Sequence, residues 1–172
     1  MKNPFDVLGL EPRFALDLAE LEQRHRELSR ALHPDRHAAA GAAERRLALG
    51  HAIEVNEAFR VLKDPVRRAE ALLAARGVES GEGKEPPASP DFLMEVMERR
   101  EALAEVRRSK DEAALARLVR EMKAEQTSAE TTLAREFERG AAPPAEILKN
   151  IGKLRYCRRF LEEASSIEDD LF

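Results

Sequence analysis

The sequence predicts an all-α protein, with a helical hairpin in its N-terminal part and an antiparallel three-helix bundle in its C-terminal part. Apolar residues recur at spacings of three and four through most of the chain, which is typical of helices with one buried face. Residues that cap or start helices precede these segments, among them Asp17, Asp64 and Ser89. No stretch of four or more residues alternates with β-branched or aromatic enrichment, which excludes sheet folds.

The first long helix is predicted at about residues 18–32. Asp17 can cap it, with Glu20 at the third helical position as in a capping box. Pro34 ends the helix because proline disfavours helical geometry in the residue before it. His25 lies on the apolar side and is expected to be a core residue that needs a hydrogen-bond partner. The other apolar positions are Leu18, Leu21, Leu28 and Leu32.

Two further helices complete the N-terminal part, after a loop at about residues 33–41. One begins near Ala42, and the next begins at Pro65 and ends at Gly77. The apolar stripe of the first of these consists of Leu47, His51, Val55, Ala58 and Leu62. A short apolar segment at residues 5–10 is expected to cover the open side of the hairpin.

A linker is predicted at residues 77–90, where Gly, Pro, Ser and charged residues replace almost every apolar position. It separates an N-terminal domain, residues 1–76, from a C-terminal domain, residues 91–172. The first helix of the C-terminal domain is predicted from Ser89 and Pro90 to about Arg108.

The other two helices of the bundle also carry start signals. Ser109 with Glu112 makes a capping box for the middle helix, which is expected to run to Gly140, and Pro143 and Pro144 start the last one. Its inward positions are Ile147, Ile151, Leu154 and Leu161.

Composition limits the kinds of partner. The net charge is -4 and the pI about 5.7, so bulk electrostatics give no reason to expect nucleic-acid binding. No apolar run approaches the ~18 residues of a membrane span, and the N-terminus lacks the layout of a signal peptide. The single cysteine, Cys157, permits no internal disulfide and is expected to be a small buried residue. A cytoplasmic protein is predicted.

Catalytic and cofactor motifs are missing from the sequence. It contains no GxSxG, GxGxxG, GxxxxGK[ST] or HExxH pattern. We therefore expect no enzyme, no cofactor and no metal. One alternative from another class stays open, a metal-dependent enzyme with His33, Asp35 and His37 as ligands.

The tripeptide His33-Pro34-Asp35 stands at the predicted tip of the hairpin. Arg26 and Arg30 precede it at an i, i+4 spacing, so they share the solvent face of the first long helix. An ordinary solvated face is the alternative interpretation of this pair.

This arrangement resembles the J-domain of the DnaJ co-chaperone family, in which HPD joins two antiparallel helices. The opening PFDVLGL matches as well, while NEAFRVLKDPVRRAEALLAARG and FLMEVMERREAL resemble the HscB family of iron–sulfur co-chaperones. The resemblance implies stimulation of the ATPase of an HscA/DnaK-type chaperone by His33, Pro34, Asp35 and the two arginines. It also implies delivery of the iron–sulfur scaffold IscU.

A second binding surface is predicted on the first helix of the bundle. Phe92, Val96 and Leu103 fall within about 40° of one another, but other apolar residues extend the arc to about 200°, which one core cannot cover. The surplus residues are Leu93, Met94 and Met97, bordered by Glu98 and Glu101. Their exposure would make a docking patch. The alternative is a helix buried on two sides.

The resemblance adds Tyr156, on the last helix, to this scaffold-binding surface. The runner-up function is a general J-domain co-chaperone for other protein clients, although the Gly/Phe-rich linker and cysteine-rich repeats of such proteins are absent. The chain departs from the family pattern at His25, where an aromatic residue is common, and at Leu32, where Tyr is common.

Overall fold

The structure, a computed structural model, describes residues 2–37, 41–140 and 142–171, with only the backbone for Pro34 and His37. Helices make up all the regular structure in this part of the chain, which confirms the predicted all-α class. They are α1 (Pro4–Leu8), α2 (Leu18–Ala31), a 3-10 helix (Pro34–His37), α3 (Ala42–Lys63), α4 (Pro65–Ala75), α5 (Pro90–Ser109), α6 (Glu112–Arg139) and α7 (Pro144–Leu171). None of these helices is long and apolar enough to cross a membrane.

The chain forms two compact units, Met1–Glu79 and Ser80–Phe172. In the first unit, α2 and α3 make the antiparallel hairpin, and α1 and α4 pack against α3. Phe5 and Leu8 of α1 and Leu21 of α2 are almost completely buried, so the short N-terminal segment does contribute to the core. The expected cover for the hairpin is confirmed.

Caps fix where the helices of the first unit begin. The Asp17 carboxylate accepts hydrogen bonds from the N–H groups of Ala19 and Glu20, at 2.8 and 3.4 Å. Asp64 likewise accepts from the Arg67 N–H at 3.0 Å. These bonds satisfy donors that the first turn of a helix leaves unpaired, and both predicted caps are confirmed.

Three predicted core positions of this unit are wrong, namely Leu18, Leu47 and His51, all of which are exposed. Leu18 is 50% exposed and Leu47 is 65% exposed. Leu18 is the first residue of α2, at the edge of the packed region. On α3 the buried line runs through Ala48, Val55 and Leu62, and Leu47 lies about 80° away from Val55 around the helix.

His25 is partly buried between α2 and α3. Its Nε2 lies 2.9 Å from Oδ1 of Asn56, and its ring stacks on Phe59 with 4.1 Å between centroids. The expected hydrogen-bond partner is therefore present, and stacking on Phe59 supplies the apolar contact.

The second unit is the three-helix bundle of α5, α6 and α7. Asn150 near the start of α7 donates to Glu136 near the end of α6, at 2.8 Å, and Arg107 of α5 lies 3.8 Å from Asp170 at the end of α7. These pairs show that α6 and α7 run antiparallel to each other and that α5 and α7 run parallel. The core contains Leu103, Val106, Leu115, Met122, Cys157, Phe160, Ala164 and Ile167.

Cys157 is fully buried within this core, as predicted. Burial raises the pKa of its thiol to about 11, because the thiolate would lose its hydration. The side chain is therefore a neutral, small packing residue.

The predicted cap of α6 is wrong. Asp111, not Ser109, is the capping residue, and its carboxylate accepts from the Ala114 N–H at 2.9 Å. Ser109 is the last residue of α5, and its hydroxyl donates to the Glu105 carbonyl at 2.9 Å. Lys110 adopts the left-handed conformation, with φ of 55°, and ends α5 between the two.

Residues 81–85, here called the strap, are held against α7 although they fall in the predicted linker. Arg155, only 6% exposed, donates to the Gly81 carbonyl at 3.2 Å and forms an ion pair with Glu85. Arg159 and Glu82 form a second pair at 3.1 Å. A Cβ atom on Gly152 would lie 3.1 Å from Cγ of Glu85, so glycine permits this close approach.

Candidate partner-binding surfaces

The HPD loop follows directly from the end of α2. The Leu32 N–H donates to the Leu28 carbonyl and closes the last turn of α2, and a single turn of 3-10 helix starts at Pro34. Within the loop, the Asp35 N–H donates to Nδ1 of His33 at 3.3 Å, and the Arg36 N–H donates to the His33 carbonyl at 3.0 Å. These local bonds give the loop a defined shape.

The side chains of His33 and Asp35 face solvent. They are 59% and 91% exposed, and Nδ1 of His33 lies 3.5 Å from Oδ2 of Asp35. Among the described side chains, no group of three potential ligands is placed to hold a metal ion. The side chain of His37, the third ligand of the metal-site hypothesis, lies outside the described residues, as does that of Pro34.

Arg26 and Arg30 are exposed on α2, about 40° apart around the helix. Arg26 lies 3.7 Å from Glu22 in the preceding turn. The hairpin therefore presents a positive helix face that leads into the HPD loop, as the spacing predicts.

The second predicted surface, here called the α5 patch, consists of Leu93, Met94, Met97, Glu98 and Glu101. Its three apolar side chains are 51%, 61% and 64% exposed, and both glutamates are exposed too. The expectation that part of this face is left out of the core is confirmed, whereas its role in binding stays a prediction.

Tyr156 on α7 lies beside the α5 patch. Its ring makes an edge-on contact with Phe92 of α5, with 5.6 Å between centroids. A groove of about 500 Å³ opens there between α5, α7 and the strap. Leu93, Val96 and Tyr156 are among the residues that line it, so the α5 patch adjoins a concavity with an aromatic wall.

A polar cluster beneath this surface was not anticipated from the sequence. Nη1 of Arg99 on α5 lies 2.7 Å from Oε2 of Glu125 on α6, and both side chains are largely buried. Burial raises the pKa of Tyr156 while the nearby Arg99 opposes the shift, so the phenol stays neutral. A charged residue at an inward helical position is the only signal that could have pointed to Arg99.

Two protein-family models match the chain, and one falls in each of its compact units. A DnaJ domain model matches residues 3–71, and a model described as the HSCB C-terminal oligomerisation domain matches residues 88–165. The co-chaperone protein HscB homolog of Shewanella halifaxensis is 36% identical, with 99% of each chain covered. The HscB homolog of Haemophilus influenzae is also 36% identical over 100% of this chain and 98% of its own.

The chain belongs to the HscB co-chaperone family. Solved structures agree with this assignment. The chaperone HscB from Vibrio cholerae is 34% identical and superimposes with a TM-score of 0.84 over 99% of both chains. The human co-chaperone HscB is 27% identical and gives a TM-score of 0.89 over 99% of this chain and 84% of its own.

Membership of the HscB family assigns the two surfaces to different modules. The HPD loop lies within the DnaJ domain match, and the α5 patch lies within the HscB-specific match. The protein is thus a J-domain co-chaperone with an additional helical domain, and the family implies a DnaK-type chaperone as its partner. The resemblance inferred from the sequence is confirmed.

Proposed function

We propose that this protein stimulates the ATPase of an HscA/DnaK-type chaperone through its HPD loop and delivers an IscU-type iron–sulfur scaffold to that chaperone. The result would be cluster transfer and maturation of iron–sulfur proteins in the cytoplasm. The observation that carries the proposal is the HPD loop, presented to solvent at the end of an arginine-bearing helix.

The HPD loop and the arginine face of α2 can bind the chaperone through charged groups that are already held in place. The Asp35 carboxylate and the guanidinium groups of Arg26 and Arg30 can form charge-assisted hydrogen bonds, each worth ~1.5–3 kcal/mol when desolvated. His33, which accepts from the Asp35 N–H, orients the loop. Because these local bonds exist before binding, little conformational entropy is lost on association.

The α5 patch is proposed to bind the scaffold together with Tyr156. Methionine side chains adapt to irregular surfaces, and an exposed apolar patch bordered by carboxylates is typical of a protein-docking site. Tyr156 would contribute a rigid aromatic surface whose orientation is fixed by its contact with Phe92.

On this proposal the chain itself is not an enzyme and binds no cofactor or metal. ATP hydrolysis takes place in the chaperone, and no residue of this chain is assigned a catalytic role. The runner-up, a general J-domain co-chaperone, shares the first surface but predicts no preference for an iron–sulfur scaffold.

A pull-down with the tagged full chain distinguishes these proposals. The iron–sulfur co-chaperone should retain both an IscU-type scaffold and an HscA-like chaperone from purified mixtures. Retention of the chaperone without the scaffold would favour the general co-chaperone. Calorimetric titration of the protein with zinc or manganese tests the metal-dependent alternative. We expect this titration to show no heat of binding.

The arginine face of α2 gives a testable salt dependence. Arg26→Ala with Arg30→Ala should weaken association with the chaperone, most strongly at low ionic strength, since salt at ~0.15 M already screens such contacts. The measurement is the affinity for the chaperone at low salt and at physiological salt, for the parent and for the double variant. Arg24→Ala is the matched control, because Arg24 lies about 160° from Arg26 around α2. A double variant with the salt dependence of the parent would contradict this role.

A further inference from the structure

One polar residue from each helix of the bundle meets beside the groove, namely Arg99 of α5, Glu125 of α6 and Tyr156 of α7. The ion pair of Arg99 with Glu125 measures 2.7 Å, and the two side chains are 29% and 25% exposed. The Tyr156 hydroxyl is buried and has no fully aligned hydrogen bond in the described part of the chain, but the Arg99 guanidinium is close enough to interact with it. We call these three residues the Arg99 cluster.

The Tyr156 ring is held by two residues from the same face of α5. Its edge meets the ring of Phe92, with 5.6 Å between centroids. Arg99 follows Phe92 by seven residues, which places it about 20° away around α5 and about 10 Å further along the helix. Phe92 therefore contacts the ring while Arg99 interacts at the hydroxyl, and together they fix the orientation of Tyr156 in the wall of the groove.

The chemistry of arginine suits this position. A planar guanidinium carries several donors in a fixed fork, so it can interact with the Glu125 carboxylate and the phenol oxygen at the same time. The distance of 2.7 Å to Glu125 is that of a short charge-assisted bond, which holds the guanidinium in place. An apolar side chain at position 99 would pack against Tyr156 but would leave the buried hydroxyl without a polar neighbour on α5.

We propose that Arg99 is a positioning residue of the scaffold-binding surface, which acts through the Tyr156 hydroxyl and is itself held by Glu125. The inference rests on the proposed function, since Tyr156 belongs to the surface proposed to bind the scaffold. Arg99 lies about 160° from Met97 around α5, so it acts from beneath the α5 patch and not as part of it. An aromatic ring that is already fixed in the free protein loses little conformational entropy when a partner packs on it.

The test uses the full chain with Arg99→Met and Glu125→Gln combined, here called the neutral variant. Removing both charges together leaves no carboxylate unpaired, and an ion pair of low exposure can often be replaced by uncharged residues of similar size without loss of stability. We expect scaffold affinity to fall by about 5-fold or more, since residues that act through one another couple at about this level. Thermal melting, and chaperone stimulation in the absence of scaffold, should match the parent.

Tyr156→Phe shows whether Arg99 acts through the hydroxyl. This substitution keeps the aromatic ring but removes the oxygen with which Arg99 interacts. Adding the neutral variant to Tyr156→Phe should therefore cause little further loss of scaffold affinity. An equal loss in the parent and in the Tyr156→Phe chain would mean that the ion pair only supports the bundle, and it would overturn the inference.

The order of the ring can be measured directly, because Tyr156 is the only tyrosine and the chain contains no tryptophan. The tyrosine band in near-ultraviolet circular dichroism depends on fixed side-chain packing. We expect this band to weaken in the neutral variant while the helical signal stays unchanged. Arg107→Met is the matched control, since it removes an exposed ion pair between α5 and α7, at 3.8 Å from Asp170, and should keep the band and the scaffold affinity. A neutral variant with the parental tyrosine band would contradict the positioning role.

Tyr156→Ala, assayed in parallel, separates failure of this inference from failure of the proposed function. If Tyr156→Ala weakens scaffold binding and the neutral variant does not, the docking role of Tyr156 survives and the positioning role of Arg99 fails. If Tyr156→Ala binds the scaffold with the affinity of the parent, the proposed role of Tyr156 fails, and the inference about Arg99 fails with it.

Discussion

Asp35→Asn and His33→Gln will each abolish stimulation of the partner ATPase while leaving the fold intact. The Asp35 side chain is 91% exposed and the His33 side chain 59% exposed, so neither supports a core. The substitutions remove a negative charge from the loop in one case and alter the acceptor for the Asp35 N–H in the other. Single-turnover ATP hydrolysis by the chaperone, with and without each variant, measures the effect.

Scaffold binding supplies the internal control for the loop variants. The α5 patch belongs to the other unit of the chain, so scaffold affinity and melting temperature should both match the parent. A loop variant that stimulates at the parental rate would remove the basis for the co-chaperone mechanism. Loss of stimulation accompanied by a collapsed melting temperature would contradict the predicted intact fold.

Leu93→Ala combined with Met97→Ala should disable scaffold binding and leave chaperone stimulation in the absence of scaffold unchanged. Both side chains are more than half exposed, so their truncation creates no cavity. As docking anchors they should contribute ~1–3 kcal/mol or more, about 5- to 150-fold in affinity. Scaffold titration and thermal melting of the double variant measure the two quantities side by side.

Leu103→Ala provides the matched comparison on the same helix. Leu103 is 1% exposed within the bundle core, so this variant should lose ~2–5 kcal/mol of stability and melt at a clearly lower temperature. If the Leu93 and Met97 variant melts like Leu103→Ala, its residues belong to the core and the docking assignment is wrong. The docking assignment would also be wrong if the double variant bound the scaffold with the affinity of the parent.

Local chemistry explains why most of the helix pattern could be predicted. Asp17 and Asp64 cap their helices because a short carboxylate can reach N–H groups two or three residues ahead, and this depends on nothing distant in the chain. The exposed α5 patch was predictable for a similar reason, since the angular width of an apolar face follows from helix geometry alone.

The failures arise where a choice depends on neighbours far along the chain or on one backbone angle. Ser109 and Asp111 are both plausible caps, and the left-handed Lys110 between them decides in favour of Asp111. Leu47 fits the apolar spacing of α3, but which side of a helix is covered depends on its packing partners. The ion pair of Arg99 with Glu125 joins separate helices, so spacing within one helix does not reveal it.

The strap bears on how the second unit can be studied in isolation. A fragment starting at residue 88, where the HscB-specific match begins, would lack Glu85 and the Gly81 carbonyl. The Arg155 guanidinium, only 6% exposed in the intact unit, would lose these partners. The fragment starting at residue 88 would also lack one wall of the groove beside Tyr156. A fragment that starts at residue 80 retains the partners of Arg155 and this wall of the groove. The residue at which the excised bundle starts therefore decides whether scaffold affinity measured on the fragment represents that of the intact chain.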